Sequence, residues 1–218
     1  SIGQPQASDD CDTNVDVTFD DTIIPGACAE NYTIQRVWTA TDGCGNATQA
    51  TQLITIVDDQ APVVTSKPAD VTIQCAGDVP NPNPNAVIVT GECSEYTVRH
   101  VGDQSNGQTC PQVITRTYRA TDACGNATDV TQIITIDDTT NPTVGTLSPI
   151  TVQCLDDVPG ANIAIVQASD NCGVPTVTHL GDVSNGQSCP QVITRTYRVT
   201  DACGNVTDRA QTITIDDT

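Results

Sequence analysis

The amino-acid sequence repeats itself, and this repetition limits the chain to an array of similar small domains. Residues 110–126 read CPQVITRTYRATDACGN and residues 189–205 read CPQVITRTYRVTDACGN, so the two segments differ at one position. A more divergent copy lies before them, where WTATDGCGN at residues 38–46 matches the end of the same pattern. Each copy closes on an ITI segment that is closely followed by paired aspartates. We therefore predict three repeats, with boundaries at 1–59, 60–138 and 139–218.

The cysteines follow the same period and can be numbered within each copy. The second and third copies each hold a first, second, third and fourth cysteine, and the two sets are offset by 79 residues. The first copy lacks the opening segment that carries the first cysteine, which accounts for the odd total of 11. We interpret this copy as truncated, and not as the carrier of a reactive thiol. The cysteines are Cys11, Cys28 and Cys44 (second to fourth) in the first copy, Cys75, Cys93, Cys110 and Cys124 in the second, and Cys154, Cys172, Cys189 and Cys203 in the third.

The composition restricts the partners and the compartment. The net charge is −19, so nucleic acids and anionic membrane surfaces would repel the chain. Cysteines at this density are typical of an oxidising compartment. Aromatic residues make up 3% of the chain, and a core so poor in large side chains needs covalent or metal staples. We expect an extracellular, cell-surface segment of a longer protein, with no nucleic-acid partner and no membrane insertion.

Local patterns indicate an all-β fold, because Thr, Val and Ile dominate and Gly, Pro, Asn and Asp separate the short runs. In the last run, Gln211, Ile213 and Ile215 fall on one face, as in a sheet with one buried side. The run before it places Arg195 on one face with apolar residues, and Arg116 and Arg36 take the same place in the other copies. We interpret these arginines as covering the edge of the core while their heads meet carboxylates. The predicted strands of the third copy are 150–154, 162–167, 176–179, 192–200 and 209–215, which suits a reduced immunoglobulin-like β-sandwich.

These residues carry a family resemblance. The run TYRxTDACGN, followed by QxITIDDT and NP, resembles the HYR-like immunoglobulin-like repeats of very large Bacteroidota cell-surface proteins. Those proteins include gliding-motility adhesins exported by the type IX secretion system. The resemblance covers all three copies and implies a structural or adhesive segment of a cell-surface filament or stalk. Its implied partners are neighbouring repeats of the same long chain and, beyond them, surface glycans or other cells.

No enzyme is predicted. His100 and His179 are the only histidines, lie one repeat apart and stand in Thr/Val-rich runs without a nucleophile motif. The cysteine spacings are not those of a zinc knuckle. The alternative to a structural repeat is a glycan- or protein-binding module. Its local support is the tetrapeptide NPNP at residues 81–84, which the third copy lacks.

Acidic residues at the repeat ends predict calcium at the junctions between copies. Calcium takes six to eight oxygen ligands, and Lys67 is the only lysine that could neutralise paired carboxylates. A solvated acidic turn is the alternative interpretation. The junction that precedes the second copy should bind more weakly, because Gly91 and Glu92 replace an Asp-Asn pair there. The predicted ligands are Asp58, Asp59, Asp122 and Asn126 at one junction, and Asp137, Asp138, Asp170, Asn171, Asp201 and Asn205 at the other.

Strand direction predicts the disulfides. Cys110 and Cys124 bracket one extended strand, so their separation is too large for a bond. If successive strands alternate in direction, the first and third cysteines share one end of a copy, and the second and fourth share the other. The predicted pairs are Cys75–Cys110, Cys93–Cys124, Cys154–Cys189, Cys172–Cys203 and Cys11–Cys44, with Cys28 unpaired.

Short linkers predict a head-to-tail rod. Pro62 and Pro142 lie three and four residues after the acidic pairs, and the fixed φ of proline limits bending. Calcium at the junctions would stiffen such a rod. Thr22 and Thr139 are candidate O-glycosylation sites, because the surrounding DTI and DTT segments resemble the short motif that Bacteroidota use.

Overall fold

The computed structural model describes residues 3, 5–11, 13–90 and 95–217. The chain divides into two compact units, and the division runs through the second copy. The first unit comprises residues 1–68, 83–101 and 117–130, and the second comprises 69–82, 102–116 and 131–218. Each unit therefore contains one segment that joins a copy to the next. We call the surroundings of residues 58–62 the first junction and those of residues 138–142 the second junction.

All regular elements of the described chain are strands or single turns of 3-10 helix. The first copy has β1 (Asp16–Pro25), β2 (Tyr32–Thr41) and β3 (Ala47–Ile56). The second has β4 (Val63–Ser66), β5 (Val71–Ile73), β6 (Ile88–Thr90), β7 (Tyr96–Ser105), β8 (Gln112–Asp122) and β9 (Ala127–Ile136). The third has β10 (Thr143–Val144), β11 (Ile150–Val152), β12 (Ala168–Ser169), β13 (Thr176–Ser184), β14 (Gln191–Thr200) and β15 (Val206–Ile215). The 3-10 turns are Ala76–Asp78, Pro84–Ala86, Leu155–Asp157 and Ile163–Ile165.

The sheets confirm the predicted all-β, tandem-repeat architecture. The second copy forms a four-stranded sheet in the order β5-β9-β8-β7 and a two-stranded sheet of β4 and β6. The third copy repeats this arrangement with β11-β15-β14-β13 and β10-β12. The first copy forms a three-stranded sheet in the order β1-β2-β3. In the part of the chain that the structure describes, no helix is long and apolar enough to span a membrane.

The core of the third copy lies where the alternating pattern predicts it. Tyr197 and Val199 of β14 are fully buried and pack against Val166. Ile213 and Ile215 of β15 form a second cluster with a residue of β14. Both clusters are small, so the third copy buries little apolar surface of its own.

A buried arginine completes each four-stranded sheet. Arg195 is 4% exposed, and its guanidinium forms a two-pronged pair with Asp182 at 2.9 and 2.7 Å while also donating to the carbonyl of Pro159 at 2.8 Å. Arg116 makes the equivalent bonds in the second copy. Hydrogen bonds from Arg195 hold the pKa of Asp182 at about 2, below its ordinary value of 3.8. The predicted role for these arginines is confirmed.

Residues 162–167 do not form the predicted strand. Ile163–Ile165 is a 3-10 turn instead, and the side chain of Asn162 accepts a hydrogen bond from the backbone N–H of Ala164 at 3.0 Å. The backbone N–H of Asn162 donates to the hydroxyl of Tyr197 at 3.2 Å. Asparagine side chains that bond to nearby backbone compete with a strand ladder, which explains why a short apolar run becomes a turn here.

We predict that Arg195→Ala lowers the free energy of unfolding of the third copy by about 2 kcal/mol, because it removes the two-pronged pair with Asp182 and leaves the carbonyl of Pro159 without a donor. Asp182 keeps His179 as a partner and is about one third exposed, which limits the loss.

The control is Arg198→Ala on the same strand. Arg198 pairs with Asp208 in the same two-pronged way, but both side chains are about 40% exposed, so the loss should stay below about 1 kcal/mol. Urea unfolding of the oxidised protein measures both values. Equal losses in the two variants would contradict the structural role given to Arg195.

Candidate functional site

Disulfide bonds join each copy to the next one. Every disulfide among the described residues crosses a junction, and none lies within a copy. The bonds are Cys28–Cys124 at the first junction, and Cys75–Cys172 and Cys110–Cys203 at the second, with Cα atoms 5.1, 5.0 and 5.1 Å apart.

The predicted pairing within copies is therefore wrong. Cys28 was expected to be unpaired, yet it bonds to the second copy. The pairs Cys75–Cys110, Cys93–Cys124 and Cys172–Cys203 are excluded because at least one member of each bonds elsewhere. The pairs Cys154–Cys189 and Cys11–Cys44 are not formed, since these four thiols are free and exposed. Cys93 itself lies outside the described residues.

Strand direction correctly predicts at which end of a copy each cysteine lies, but it does not predict the cysteine to which it bonds. Cys110 and Cys124 do lie at opposite ends of β8, as predicted. Cys75 and Cys110 bond into the same face of the third copy, and the cleft there is lined by Cys75, Cys172 and Cys203. The first and third cysteines thus share one end, as expected. The facing end of the next copy presents its second and fourth cysteines, and bonds form across the junction.

The turn before the last strand has the same hydrogen bonds in every copy. In the third copy, the carboxylate of Asp201 accepts from the backbone N–H of Asn205 at 2.8 Å and from its side-chain amide at 2.8 Å. Gly204 lies in this turn with a φ of +91°, a conformation that glycine adopts without strain. Burial raises the pKa of Asp201, but hydrogen bonds from Asn205, Gly204 and Cys203 outweigh it, and the pKa lies below its ordinary value. The same turn joins Asp122 to Asn126 and Asp42 to Asn46.

The asparagine of this turn also holds the linker of the preceding copy. The side-chain amide of Asn126 donates to the carbonyl oxygen of Asp58 at 3.2 Å. The amide of Asn205 donates to the carbonyl oxygen of Asp138 at 2.7 Å. Both junctions therefore contain the same contact, which we call the main-chain clamp. In it, the side-chain amide of an asparagine donates to a backbone carbonyl of the preceding linker.

The linkers themselves are alike. The carboxylates of Asp58 and Asp138 each accept from the backbone N–H two residues on, at 3.1 and 2.9 Å. Pro62 and Pro142 are fully buried, and the carbonyl of Pro62 accepts from the hydroxyl of Thr128 at 2.7 Å. These bonds fix the path of the chain between copies.

Asp58 and Asp138 are thus equivalent, although Asp58 is the first residue of its acidic pair and Asp138 is the second of its own. The other two members take different roles. Asp59 accepts from the side-chain amide of Gln60 at 2.7 Å. One carboxylate oxygen of Asp137 lies 3.5 Å from the sulfur of Cys110. Val57 separates the ITI segment from the acidic pair in the first copy, and this insertion hides the equivalence in the sequence.

Two predicted calcium ligands meet at the second junction. Oxygens of Asp138 and Asp170 lie within 4.8 Å of each other, and Asp138 is 5% exposed. Among the described residues, no basic side chain forms an ion pair with either carboxylate. One oxygen of Asp170 is buried without a hydrogen-bond partner, and Asn171 donates to Asp138 at 3.3 Å. The neighbouring Cys172 is in a disulfide and supplies no thiolate.

This donor set fits a hard divalent cation. Two carboxylates held close together in a partly buried cleft carry like charges, and the unpartnered oxygen of Asp170 offers a ready ligand. The corresponding part of the first junction, residues 91–94, lies outside the described residues.

The glycosylation candidates differ in their surroundings. Thr22 lies on β1, opposite Gln35 of β2, and is exposed. Thr139 is exposed as well, but its hydroxyl accepts from the side-chain amide of Gln74 at 3.2 Å. Glycosylation at both positions remains a prediction.

Comparison with known proteins identifies the repeat type. The family model described as an HYR-like domain with four cysteines matches residues 63–136 and 142–215. No curated protein matches the sequence. Tandem repeats of this type, joined by disulfides, indicate an extracellular structural or adhesive role.

Solved structures of extracellular domains show only a distant likeness. They include extracellular cadherin domains 1–5 of protocadherin gamma B2 at 14% identity and a TM-score of 0.30, with 93% of this chain and 53% of that chain covered. Domains 3–6 of the same protein give 10% identity and a TM-score of 0.31, with 94% and 68% covered. The human desmocollin-1 ectodomain gives 11% identity and a TM-score of 0.24, with 93% and 52% covered. The chain thus spans about half the length of the first of these.

We predict that peptide mapping of the unreduced protein recovers Cys28 linked to Cys124, Cys75 linked to Cys172 and Cys110 linked to Cys203. Digestion and mass spectrometry, before and after reduction, identify the linked peptides. The reduced sample serves as the control, because each linked mass must disappear. A peptide that joins Cys75 to Cys110 would restore the pairing within copies and overturn the structure of the junctions.

Proposed function

We propose that this chain, which belongs to the family of HYR-like domains with four cysteines, is a load-bearing segment of an extracellular cell-surface filament or stalk. The observation that carries the proposal is the covalent joining of successive copies. A repeat that served only as an independent binding module would not need disulfides to its neighbours.

The surroundings of these bonds support the same function. At each junction the linker contains a buried proline and an aspartate whose carboxylate accepts from the backbone N–H two residues on. A backbone carbonyl of the same linker accepts from the side-chain amide of an asparagine in the next copy. Such short, multiply bonded linkers restrict the angle between copies. A spacer needs this repeated, rigid connection many times over.

The family resemblance extends the proposal to the surface of a bacterial cell. HYR-like repeats with these motifs are similar to those of very large Bacteroidota surface proteins, including gliding-motility adhesins of the type IX secretion system. The strong negative charge keeps such a filament solvated and away from anionic membranes. Glycans and other cells are the proposed partners of the whole protein.

The second candidate function, a binding module, loses its local support. The NPNP segment at residues 81–84 is the feature that sets the second copy apart. Within it, the backbone N–H of Asn83 donates to the hydroxyl of Tyr118 at 3.1 Å. Asn162 and Tyr197 make the same bond in the third copy at 3.2 Å. The segment therefore replaces a structural turn, which favours the spacer.

We further propose that calcium binds at the second junction and stiffens it. Asp138 reaches the cleft from the second copy and Asp170 from the third, so an ion between them would add a cross-link to the two disulfides. Backbone carbonyls and water would complete its oxygen shell. Asp201 would support the ion only indirectly, because its carboxylate is engaged with Asn205.

We predict that calcium raises the melting temperature of the oxidised protein. An ion that binds only the folded state contributes about 1.4 kcal/mol at ten times its dissociation constant. Asp170→Asn should abolish the rise, because it removes a charged ligand. Asp156→Asn, on an exposed 3-10 turn, should retain it. A melting temperature that changes neither with millimolar calcium nor with chelator would contradict the calcium proposal.

We also predict an extended particle in solution. A compact chain of this length has a radius of gyration of about 17 Å, and a rod of three copies must exceed this value in small-angle X-ray scattering. Reduction of the disulfides should broaden the distribution of distances by loosening the junctions. A radius of gyration near the compact value for the oxidised protein would contradict the stalk proposal.

A further inference from the structure

The disulfides follow a single rule. The third cysteine of one copy bonds to the fourth cysteine of the next copy at both junctions. The first cysteine of the second copy bonds to the second cysteine of the third. This rule covers every disulfide in the described part of the chain.

The same rule accounts for the free thiols. Cys11 and Cys44 are the second and fourth cysteines of the first copy, and by the rule they require a preceding copy. Cys154 and Cys189 are the first and third cysteines of the third copy, and they require a following copy. All four are free and exposed.

We propose that these two pairs of thiols are half-junctions, each of which accepts a further HYR-like repeat through two disulfides. The inference rests on the proposed function as a repeat segment and names its partner. A second copy of this chain carries both complementary halves. Its first copy would bond to the third copy of its neighbour through Cys154–Cys11 and Cys189–Cys44.

The turns that carry the two cysteines of the first copy have the same local hydrogen bonds as their bonded counterparts. The backbone N–H of Cys44 donates to Asp42 at 2.9 Å, as that of the bonded Cys124 donates to Asp122 at 2.9 Å. The backbone N–H of Cys11 donates to an aspartate two residues before it at 2.9 Å, as in the bonded Cys172 at 3.0 Å. No rearrangement of these turns is needed for bonding.

The two cysteines of the third copy's half-junction also have the same local geometry as their bonded counterparts. Cys154 precedes a 3-10 turn with φ −122° and ψ 155°, and the bonded Cys75 precedes the same turn with φ −115° and ψ 149°. The sulfur of Cys189 lies 3.7 Å from a carboxylate oxygen of Asp216. The sulfur of the bonded Cys110 lies 3.5 Å from Asp137 in the equivalent contact.

The main-chain clamp is also preformed. The side-chain amide and backbone N–H of Asn46 both bond to Asp42 at 2.7 Å. The same turn places Asn126 and Asn205 against the linker of the copy before them. An incoming copy would therefore meet both a thiol pair and a hydrogen-bond donor for its linker.

Bond formation needs an oxidant, and a low-molecular-weight disulfide such as glutathione disulfide suffices. A cysteine thiolate attacks it, releases one glutathione and forms a mixed disulfide. The facing thiolate then displaces the second glutathione. Two protein thiols become one disulfide, and glutathione disulfide is reduced to two glutathione molecules.

The test uses the full chain with Cys93→Ser throughout, so that this remaining cysteine cannot react. In a glutathione redox buffer, the chain should form a ladder of covalent multimers on a non-reducing gel. Two variants each lose one half-junction: Cys11→Ser with Cys44→Ser, and Cys154→Ser with Cys189→Ser. Each variant alone should stay monomeric, and an equal mixture should stop at the dimer.

Mapping of that dimer should show Cys154 linked to Cys11 and Cys189 linked to Cys44. Monomers with Cys154–Cys189 and Cys11–Cys44 bonds, or with four unreacted thiols, would overturn the inference. So would multimers from either variant alone. An extended particle in scattering that still fails to multimerise would leave the stalk proposal intact and reject only the half-junctions.

A second, longer chain tests whether the half-junction of the third copy also bonds to a copy in the same polypeptide. Residues 139–218 are appended once more after residue 218, with the first and third cysteines of the added copy changed to serine. Cys154 and Cys189 should bond to the added copy, and the extended chain should remain monomeric. An extended chain in which Cys154 and Cys189 stay free would contradict the rule.

Discussion

The disulfides across the junctions are the constraint on which the rest of the structure depends. The third copy has little core of its own, since the clusters around Tyr197 and Ile213 hold three buried residues each. The bonds close loops with sequence separations of 93 to 97 residues, which in the chain-entropy model stabilises the folded state by about 4–5 kcal/mol each. Because every loop spans two copies, the folding of one copy supports the folding of its neighbour.

The parts of the fold that depend on local pattern could be predicted from the sequence. Alternation along β14 and β15 identified the buried faces, including Gln211 among the isoleucines. The position of Arg195 among apolar residues predicted a buried stem with a carboxylate partner, and Asp182 is that partner. Both inferences need only the period of a strand and the chemistry of one side chain.

The parts that depend on contacts between copies could not be predicted in this way. Strand direction places Cys75 and Cys110 at one end of a copy, but it cannot tell whether they bond to each other or to the facing copy. The turn at Ile163–Ile165 is held by the side chain of Asn162 and also by the hydroxyl of Tyr197, which is 35 residues away in the sequence. The calcium prediction placed six residues together at the second junction. The structure uses Asn205 as a main-chain clamp and leaves Asp138 and Asp170 as the close pair of carboxylates.

In the stalk proposed above, the pairing rule would also determine how successive copies carry tension. A covalent path enters the second copy through the Cys28–Cys124 bond and leaves it through the Cys110–Cys203 bond. Between the two bonds lies the backbone from Cys110 to Cys124, which is mostly β8. A β-strand is already close to the full length of its chain. Pulling on the array therefore loads a strand that cannot lengthen, so that unfolding of the small cores adds almost no extension. If the disulfides lay within copies instead, each linker would be the only covalent connection between two copies and would bear the whole load.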